Sequence, residues 1–388
     1  MSLRQSIACL ALACAASLLF ALSQSASAAA AIDVEMTPAR WQLSGHAKFL
    51  TQEDFVHGLL EVDDGNAVLA GTSFVDGIIE FDMRPTGQGM PSIQFRRRDA
   101  ATAEEIYFRP YANCRASSDC VQYTPVIFGE NLWDMYPDLQ TRAPIDVAGW
   151  NHVKIVVHGR RMNAFFNDAA VPLLAVNLQG QSRGGGIQLH GPATFANLTI
   201  TPGAPAELSS RMLPDATLSD ARFVRAWSVS KATLLANGVV PAYADMPDEA
   251  TTWKPLNAEQ NGLVNLARRY PPPPDLAHGA MAWVQTRITS RRKQVKHVHF
   301  GFTHVAFVFL NGKLVFSGRN IWDEPATTHT FGRLTLDNAS FDLPLAQGTN
   351  RLVVALADNY PEGSGHFSWG MKLRFDDLDG ATLAGPTH

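Results

Sequence analysis

Short runs in which apolar and polar residues alternate are the feature of this 388-residue chain that most constrains its fold. The clearest of these runs cover residues 77–84, 92–96, 105–109, 152–157 and 162–166. Because successive side chains of a strand point to opposite faces, this spacing indicates strands with one buried face. Gly, Asn, Asp or Pro residues bound the runs, as turns require, and no amphipathic run of helical length competes with them. The chain is therefore predicted to be all-β.

A second set of predicted strands begins near Trp227. Asn311 and Gly312 stand between two apolar runs, which is the strongest short-range signal for a β-hairpin. Residues 341–356 predict a strand, a glycine-containing turn and a continuous apolar strand of the kind that lies deep in a sandwich. Residues 203–224 mix turn formers with weakly patterned polar sequence. We predict two antiparallel β-sandwich (jelly-roll) domains, at residues 31–202 and 225–380, joined by a linker at 203–224.

The N-terminal 28 residues have the three parts of a secretory signal peptide. Arg4 supplies the positive start, residues 7–22 form an apolar run, and Ala26 and Ala28 are small residues suited to signal peptidase. The apolar run is shorter than the ~20 residues of a membrane span, and no second such run follows. We expect cleavage near Ala28, no membrane span in the mature protein, and a periplasmic or secreted location.

Removal of the signal peptide would leave two of the four cysteines, Cys114 and Cys120. They lie six positions apart in a polar, loop-like stretch, and an oxidising compartment would let them pair. We predict a disulfide between them. A metal site at these thiols is not expected, because no third and fourth ligand stands beside them.

The composition excludes some classes of protein. A hydrophobic content of 46% with 18% charged residues is typical of a folded globular chain. The formal charge is −4, and acids and bases are mixed along the chain. Since nucleic-acid-binding proteins gather Lys and Arg on one face, no nucleic-acid partner is expected.

Several segments resemble known families. In the first domain these segments are Phe74-Val-Asp-Gly-Ile-Ile-Glu-Phe-Asp, Tyr107-Phe-Arg-Pro110, Gln122-Tyr-Thr-Pro125, Gly149-Trp-Asn-His-Val-Lys154 and Phe195-Ala-Asn-Leu-Thr-Ile. They resemble the concanavalin A-like lectin/glucanase superfamily, and within it the laminin G-like and 3-keto-disaccharide hydrolase-like domains. In the second domain, Phe309-Leu-Asn-Gly-Lys-Leu-Val-Phe, Leu345-Ala-Gln-Gly-Thr-Asn-Arg-Leu and Trp369-Gly-Met resemble galactose-binding-like jelly rolls. These motifs of turns and core residues imply the architecture more strongly than the chemistry.

The resemblance to glucanases can be tested on one strand. Laminarinase-type glucanases on this fold place three carboxylates on one face of a strand, at alternate positions. Glu80 and Asp82 begin that pattern, but Arg84 occupies the third position. We therefore interpret the segment as an ordinary strand, with its apolar residues Ile79, Phe81 and Met83 inward and its acids outward.

The segment that follows is a better candidate for a ligand site. Sugar sites combine planar aromatic faces with polar groups that grip vicinal hydroxyls. We predict as ligand-binding residues Arg96, Arg98, Tyr107, Arg109, Gln122, Tyr123 and Trp133. Glu104 and Glu105 are weak candidates for a general base. The alternative is that the charges form ladders between strands and the aromatic rings fill the core.

The second domain offers two further groups. His297 and His299 alternate on a strand with His304 nearby, but two ligands plus one are too few, and no metal ligand is predicted. The loops near Trp322 and Tyr360 would lie at one end of the jelly roll, where sandwiches often bind ligands. Both residues are predicted to contact the ligand.

Taken together, these patterns predict an exported carbohydrate-binding protein without catalysis of its own. One alternative is a hydrolase or lyase that processes glycans or 3-keto sugars. Another is a protein-binding module of the laminin G-like kind. No cofactor is predicted, and a structural calcium ion, the ligand and the oligomeric state are left open.

Overall fold

Strands dominate the structure, a computed structural model that describes residues 30–111, 113–236, 238–248, 253–272, 278–322, 331–358 and 368–385. The helical segments of this described part are single 3-10 turns, at Pro137–Leu139, Tyr243–Asp245 and Gln260–Gly262. The sheets are antiparallel and form sandwich-like jelly-roll folds, so the predicted all-β class is confirmed. Within the same residues, no helix has the length and apolar character to cross a membrane.

The first half of the described chain, residues 30–202, forms one extensive antiparallel sheet. Its strands are β1 (Ile32–Asp33), β2 (Trp41–Leu50), β3 (Leu59–Leu69), β4 (Gly77–Pro85), β5 (Ser92–Asp99), β6 (Thr102–Phe108), β7 (Val121–Ile127), β8 (Glu130–Asn131), β9 (Gln140–Thr141), β10 (Asn151–His158), β11 (Arg161–Phe166), β12 (Leu174–Asn177), β13 (Gly186–His190) and β14 (Ala193–Pro202). The strand order is β12-β11-β10-β4-β14-β3-β13-β5-β6-β7-β8, with β1 on β14, β2 on β3 and β9 on β7. One apolar core lies inside this folded sheet.

Strand β4 shows how the alternating pattern produces this core. Ile79, Phe81 and Met83 are fully buried, whereas the residues between them are partly exposed. On the outer face Asp82 Oδ1 lies 2.9 Å from His152 Nδ1 of the neighbouring strand β10. The predicted inward and outward residues of this strand are therefore confirmed.

The second half, residues 226–385, contains an eight-stranded and a four-stranded sheet in its described part. Its strands are β15 (Ala226–Val229), β16 (Thr233–Ala236), β17 (Lys254–Asn257), β18 (Val264–Asn265), β19 (His278–Ser290), β20 (Gln294–Phe302), β21 (His304–Leu310), β22 (Lys313–Asn320), β23 (Ala339–Leu345), β24 (Gly348–Asp358), β25 (Gly370–Phe375) and β26 (Ala381–Leu383). The larger sheet has the order β17-β15-β19-β24-β21-β22, with β16 and β26 on β19, and the smaller β18-β25-β20-β23. A second apolar core lies between them.

Two sequence signals of this half, a hairpin and a later pair of strands, are both present in the structure, but only the hairpin strands pair with each other. The Asn311–Gly312 hairpin is confirmed: Leu310 pairs with Lys313, and both turn residues have positive φ, at 51° and 85°. Strands β23 and β24 are both present, but they belong to different sheets, because β23 pairs with β20 and β24 pairs with β19 and β21. The short connection between them crosses from one sheet to the other.

The two halves share apolar contacts around the end of β7. Leu132, Met135 and Tyr136 follow β7 in sequence, yet they pack into the core of the second half. The Tyr136 hydroxyl also accepts a hydrogen bond of 3.0 Å from Asn265 Nδ2. These contacts hold part of the second half beside the outer face of β6 and β7.

Some sequence expectations lie outside what the structure describes. The predicted signal peptide at 1–28 and Tyr360 fall outside the described residues. The domain limits at 31–202 and 225–380 stay predictions, although no strand pairing of the described residues joins the two halves across 203–224. The two family resemblances likewise stay predictions beyond the sandwich fold itself.

Candidate functional site

A cleft of about 1200 Å³ lies between the outer face of the first half and a part of the second half. Strands β3, β13, β5 and β6 form its floor, and the loop that follows β4 forms one wall. The second half contributes Trp322, Phe331 and Arg333 to the opposite wall. We call this space the cleft.

Two rows of polar side chains cross the floor of the cleft. In the first row Gln188 of β13 pairs with Gln94 of β5, which pairs with Glu105 of β6. Two residues further along, His190 pairs with Ser92, and Ser92 pairs with Tyr107. Because alternate residues of a strand share a face, both rows point into the cleft, and the intervening Ile106 points into the core.

Glu105 supplies the carboxyl group of these rows. Its side chain is buried, with 8% of the residue exposed. Ser92 Oγ donates a hydrogen bond of 2.6 Å to Oε1, and Asn131 Nδ2 donates one of 3.0 Å to Oε2. Burial raises the pKa of Glu105, while the hydrogen bond from Ser92 and the charge of His190 oppose that rise. A carboxyl group in such a position could hold or transfer a proton.

Tyr107 and Arg109 form the next part of the floor. Arg109 Nη2 donates a hydrogen bond of 2.7 Å to the Tyr107 hydroxyl, and its guanidinium carbon lies 4.6 Å from the centre of the Tyr107 ring. The hydroxyl in turn donates to Oε1 of Gln122, whose Nε2 donates 2.7 Å to the carbonyl of Trp133. Gln122 is fully buried. It therefore fixes Tyr107 and the Trp133 backbone instead of lining the cleft.

Aromatic rings line the wall beside this network. Trp133 lies under Arg333, whose guanidinium carbon is 5.3 Å from the ring centre. Tyr111, Trp322 and Phe331 each leave about half of their surface exposed, at 46%, 53% and 55%. Exposed rings beside polar groups provide stacking surfaces for a ligand with an apolar face.

A disulfide between Cys114 and Cys120 closes the loop next to these rings, as predicted. The loop carries Asp119, whose Oδ2 forms an ion pair with Nη2 of Arg333 of the second half at 3.3 Å. Its base is anchored by a hydrogen bond of 2.7 Å from the Arg109 N–H to the Cys120 carbonyl. The loop thus joins the floor of the cleft to the wall formed by the second half.

The structure brings only part of the predicted residue set to the cleft. The predicted residues that line it are Glu105, Tyr107, Arg109, Trp133 and Trp322. Glu104 and Tyr123 lie on the opposite face of the same sheet, where the Tyr123 hydroxyl donates a hydrogen bond to Glu104. Gln122 lies behind Tyr107, as described above.

Arg96 and Arg98 differ from the expectation for a regular strand. The pairing of β5 with β6 shifts register between Phe95 and Asp99, and Arg96 has a positive φ of 49°. This bulge turns Arg96 away from the alternating pattern. Its side chain is 1% exposed and binds Asp76 at 2.8 Å, while Arg98 lies exposed beside Asp99. Neither arginine lines the cleft.

Other residues of the cleft were not predicted. They include Asp63, Asp64, Asn66, Gln94, Tyr111, Asp119, Asn131, Gln188, His190, Phe331 and Arg333. Gln188 and His190 alternate on β13, so their common face was readable from the sequence. That β13 lies beside β5 was not, because it is a matter of long-range pairing.

No protein-family model matches the chain, and no curated protein matches it. Solved structures to which it is similar include a carbohydrate-binding module CBM66 from Bacillus subtilis, at 16% identity and a TM-score of 0.30, over 42% of this chain and 90% of that chain. A protein of unknown function with a galectin-like fold, also from Bacillus subtilis, has 15% identity and a TM-score of 0.29, over 42% and 88%. A Bacillus licheniformis β-glucanase has 9% identity and a TM-score of 0.30, over 46% and 99%.

Proposed function

We propose that this protein binds carbohydrate in the cleft, outside the cytoplasm, without a catalytic activity of its own. The observation that carries the proposal is the combination of two polar rows on a concave floor with exposed aromatic rings on the adjoining wall. A pyranose ring has an apolar face, which stacks on aromatic rings. Its edge carries hydroxyl groups, which exchange hydrogen bonds with amide, carboxyl and imidazole groups.

The size of the cleft supports an oligosaccharide over a single sugar. Pockets for small molecules usually measure roughly 300–1,000 Å³, and the cleft holds about 1200 Å³. The signal-like pattern of residues 1–28 and the disulfide support a location outside the cytoplasm.

A glycan array followed by calorimetry on the best ligand tests the proposal. Trp133→Ala removes a stacking surface and Gln188→Ala removes part of a polar row, and each should weaken binding by about tenfold. Trp150→Ala is the matched control, because Trp150 also lies under an arginine, with Arg84 4.9 Å from its ring centre, but does not line the cleft.

The control variant should keep the affinity of the unmodified protein. Equal losses in Trp133→Ala and Trp150→Ala would contradict a site in the cleft. Failure to bind any glycan would contradict carbohydrate binding altogether and favour a protein-binding module.

One observation favours a second candidate, a hydrolase or lyase acting on glycans or 3-keto sugars. Glu105 faces the cleft with its pKa raised by burial, which suits a general acid or base. Incubation with labelled oligosaccharides, with products separated by chromatography, distinguishes the two. Turnover that is lost in Glu105→Gln would replace the non-catalytic proposal, whereas binding without products would support it.

A further inference from the structure

The outer face of β20 carries two histidines that the cleft does not use. His297 and His299 alternate on this strand, while Val298 between them is buried in the core. Their ring centres lie 5.7 Å apart. Asp376 directly follows the neighbouring strand β25, and its N–H donates a hydrogen bond of 3.1 Å to the His297 carbonyl. This bond fixes Asp376 beside the two rings.

We propose that His297, His299 and Asp376 bind zinc or a similar divalent transition metal ion. One ligand atom from each of the three residues lies within 4.8 Å of the other two. In a tetrahedral site with zinc bonds of about 2.0–2.2 Å, any two ligand atoms lie about 3.3–3.6 Å apart. The difference is at most about 1.5 Å, so each of two partly exposed side chains needs to move by less than about 1 Å, which small rotations allow.

Asp342 provides an independent indication that the site suits a metal. It lies opposite His297 on β23, and its Oδ1 is 2.8 Å from His297 Nδ1. A carboxylate at this nitrogen holds the Nδ1–H tautomer and leaves the lone pair on Nε2. Histidines that bind metals almost always have such a partner on their other nitrogen.

The local charges also favour a cation. Asp342 and Asp376 are both acidic, and His299 Nε2 lies 3.0 Å from Asp376 Oδ1, where an ion could enter between them. The nearest cross-strand base, Arg374, is paired with Asp220 at 3.2 Å. Two imidazoles and one carboxylate suit zinc or copper better than magnesium or calcium, which prefer oxygen ligands. With three protein ligands, a fourth position is left for water.

The structure explains why sequence reasoning found too few ligands. The third histidine considered, His304, begins β21, is buried, and lies 3.6 Å from Asp358. The third ligand is instead Asp376, which only the pairing of β20 with β25 brings to the histidines.

Zinc titration of the full chain, produced without a histidine tag and treated with EDTA, tests the proposal by calorimetry. Unmodified protein should bind one zinc ion, and His299→Gln and Asp376→Asn should weaken binding at least tenfold. Asp342→Asn should weaken it by about tenfold, as expected for a residue that orients a ligand. His152→Gln is the matched control, because His152 also lies on an outer strand face, 2.9 Å from an acidic side chain.

Zinc should also raise the thermal unfolding temperature of the unmodified protein and of His152→Gln, but not that of His299→Gln. Absence of zinc binding, or equal zinc affinity in the unmodified protein and His299→Gln, would overturn the proposal. Weakening by His152→Gln to the same degree would also overturn it. None of these outcomes depends on whether the cleft binds carbohydrate.

Discussion

Replacing Glu104 by glutamine tests how burial of one carboxyl group links stability to pH. Glu104 is fully buried on the core side of β6. The Tyr123 hydroxyl and the Gly180 N–H donate hydrogen bonds to Oε2, the latter at 3.0 Å, whereas Oε1 has no hydrogen-bond partner. Burial raises the pKa of Glu104 from 4.5 to about 7, although the hydrogen bond from Tyr123 and the charge of Arg96 oppose it.

The sign of the effect follows from the direction of this shift. An acid whose pKa is higher in the folded state costs no stability well below pH 4.5, because it is then protonated in both states. The cost grows as the unfolded chain ionises and is complete above pH 7, once the folded state has ionised as well. Between pH 5 and pH 8 the free energy of unfolding of the unmodified protein should fall by about 2.5 kcal/mol because of this one group.

Glutamine keeps an acceptor oxygen but cannot ionise. The free energy of unfolding of Glu104→Gln, relative to that of the unmodified protein, should therefore rise by about 2.5 kcal/mol from pH 5 to pH 8. Urea unfolding of both proteins at pH 5, 6, 7 and 8 measures this difference, in which the other titrating groups cancel. Tyr123→Phe removes a hydrogen bond that lowers the pKa of Glu104. From pH 5 to pH 8 the free energy of unfolding of this variant should therefore fall by more than that of the unmodified protein. A difference that stays constant or decreases with pH would refute the reasoning.

Two further predictions concern the loops. Cys114→Ser combined with Cys120→Ser should lower the free energy of unfolding by about 2 kcal/mol, because the loop is short, and thermal unfolding measures the loss; an unchanged unfolding temperature would contradict it. Gly312→Val should destabilise the β21–β22 hairpin by at least about 1 kcal/mol, because φ is 85° there. Urea unfolding checks this value against Lys313→Ala, a neighbouring substitution that should change little.

Local rules predicted most of the strands correctly. Alternation in β4 and the Asn311–Gly312 turn depend on neighbouring residues, so the sequence pattern is sufficient to predict them. These local rules do not predict which sheet a strand joins. Nothing local in residues 339–358 indicates that β23 and β24 enter different sheets, since both read as strands joined by a short turn.

The same distinction between local pattern and long-range pairing applies to the site residues. Alternation over residues 105–109 puts Glu105 and Tyr107 on one face, and because β6 is regular both of them line the cleft. Arg96 was misplaced because one bulge in β5 breaks the alternation. Between Phe95 and Asp99, β5 has two more residues than the facing part of β6, and such an irregularity is visible only when the partner strand is known.

The composition of the cleft shows why sequence reasoning reached its floor and Trp322, but not Phe331 and Arg333 of the far wall. The side chains of the floor follow from alternation within each strand, and this alternation does not depend on which strand lies beside it. Arg333 lies at the wall where Leu132 and Met135, which follow β7, are buried in the core of the second half together with its neighbour Leu334. Its ion pair with Asp119 and its position over Trp133 are then consequences of that packing. If the cleft binds an extended ligand, the packing of the two halves should limit the ligand's length, and the floor residues its chemistry.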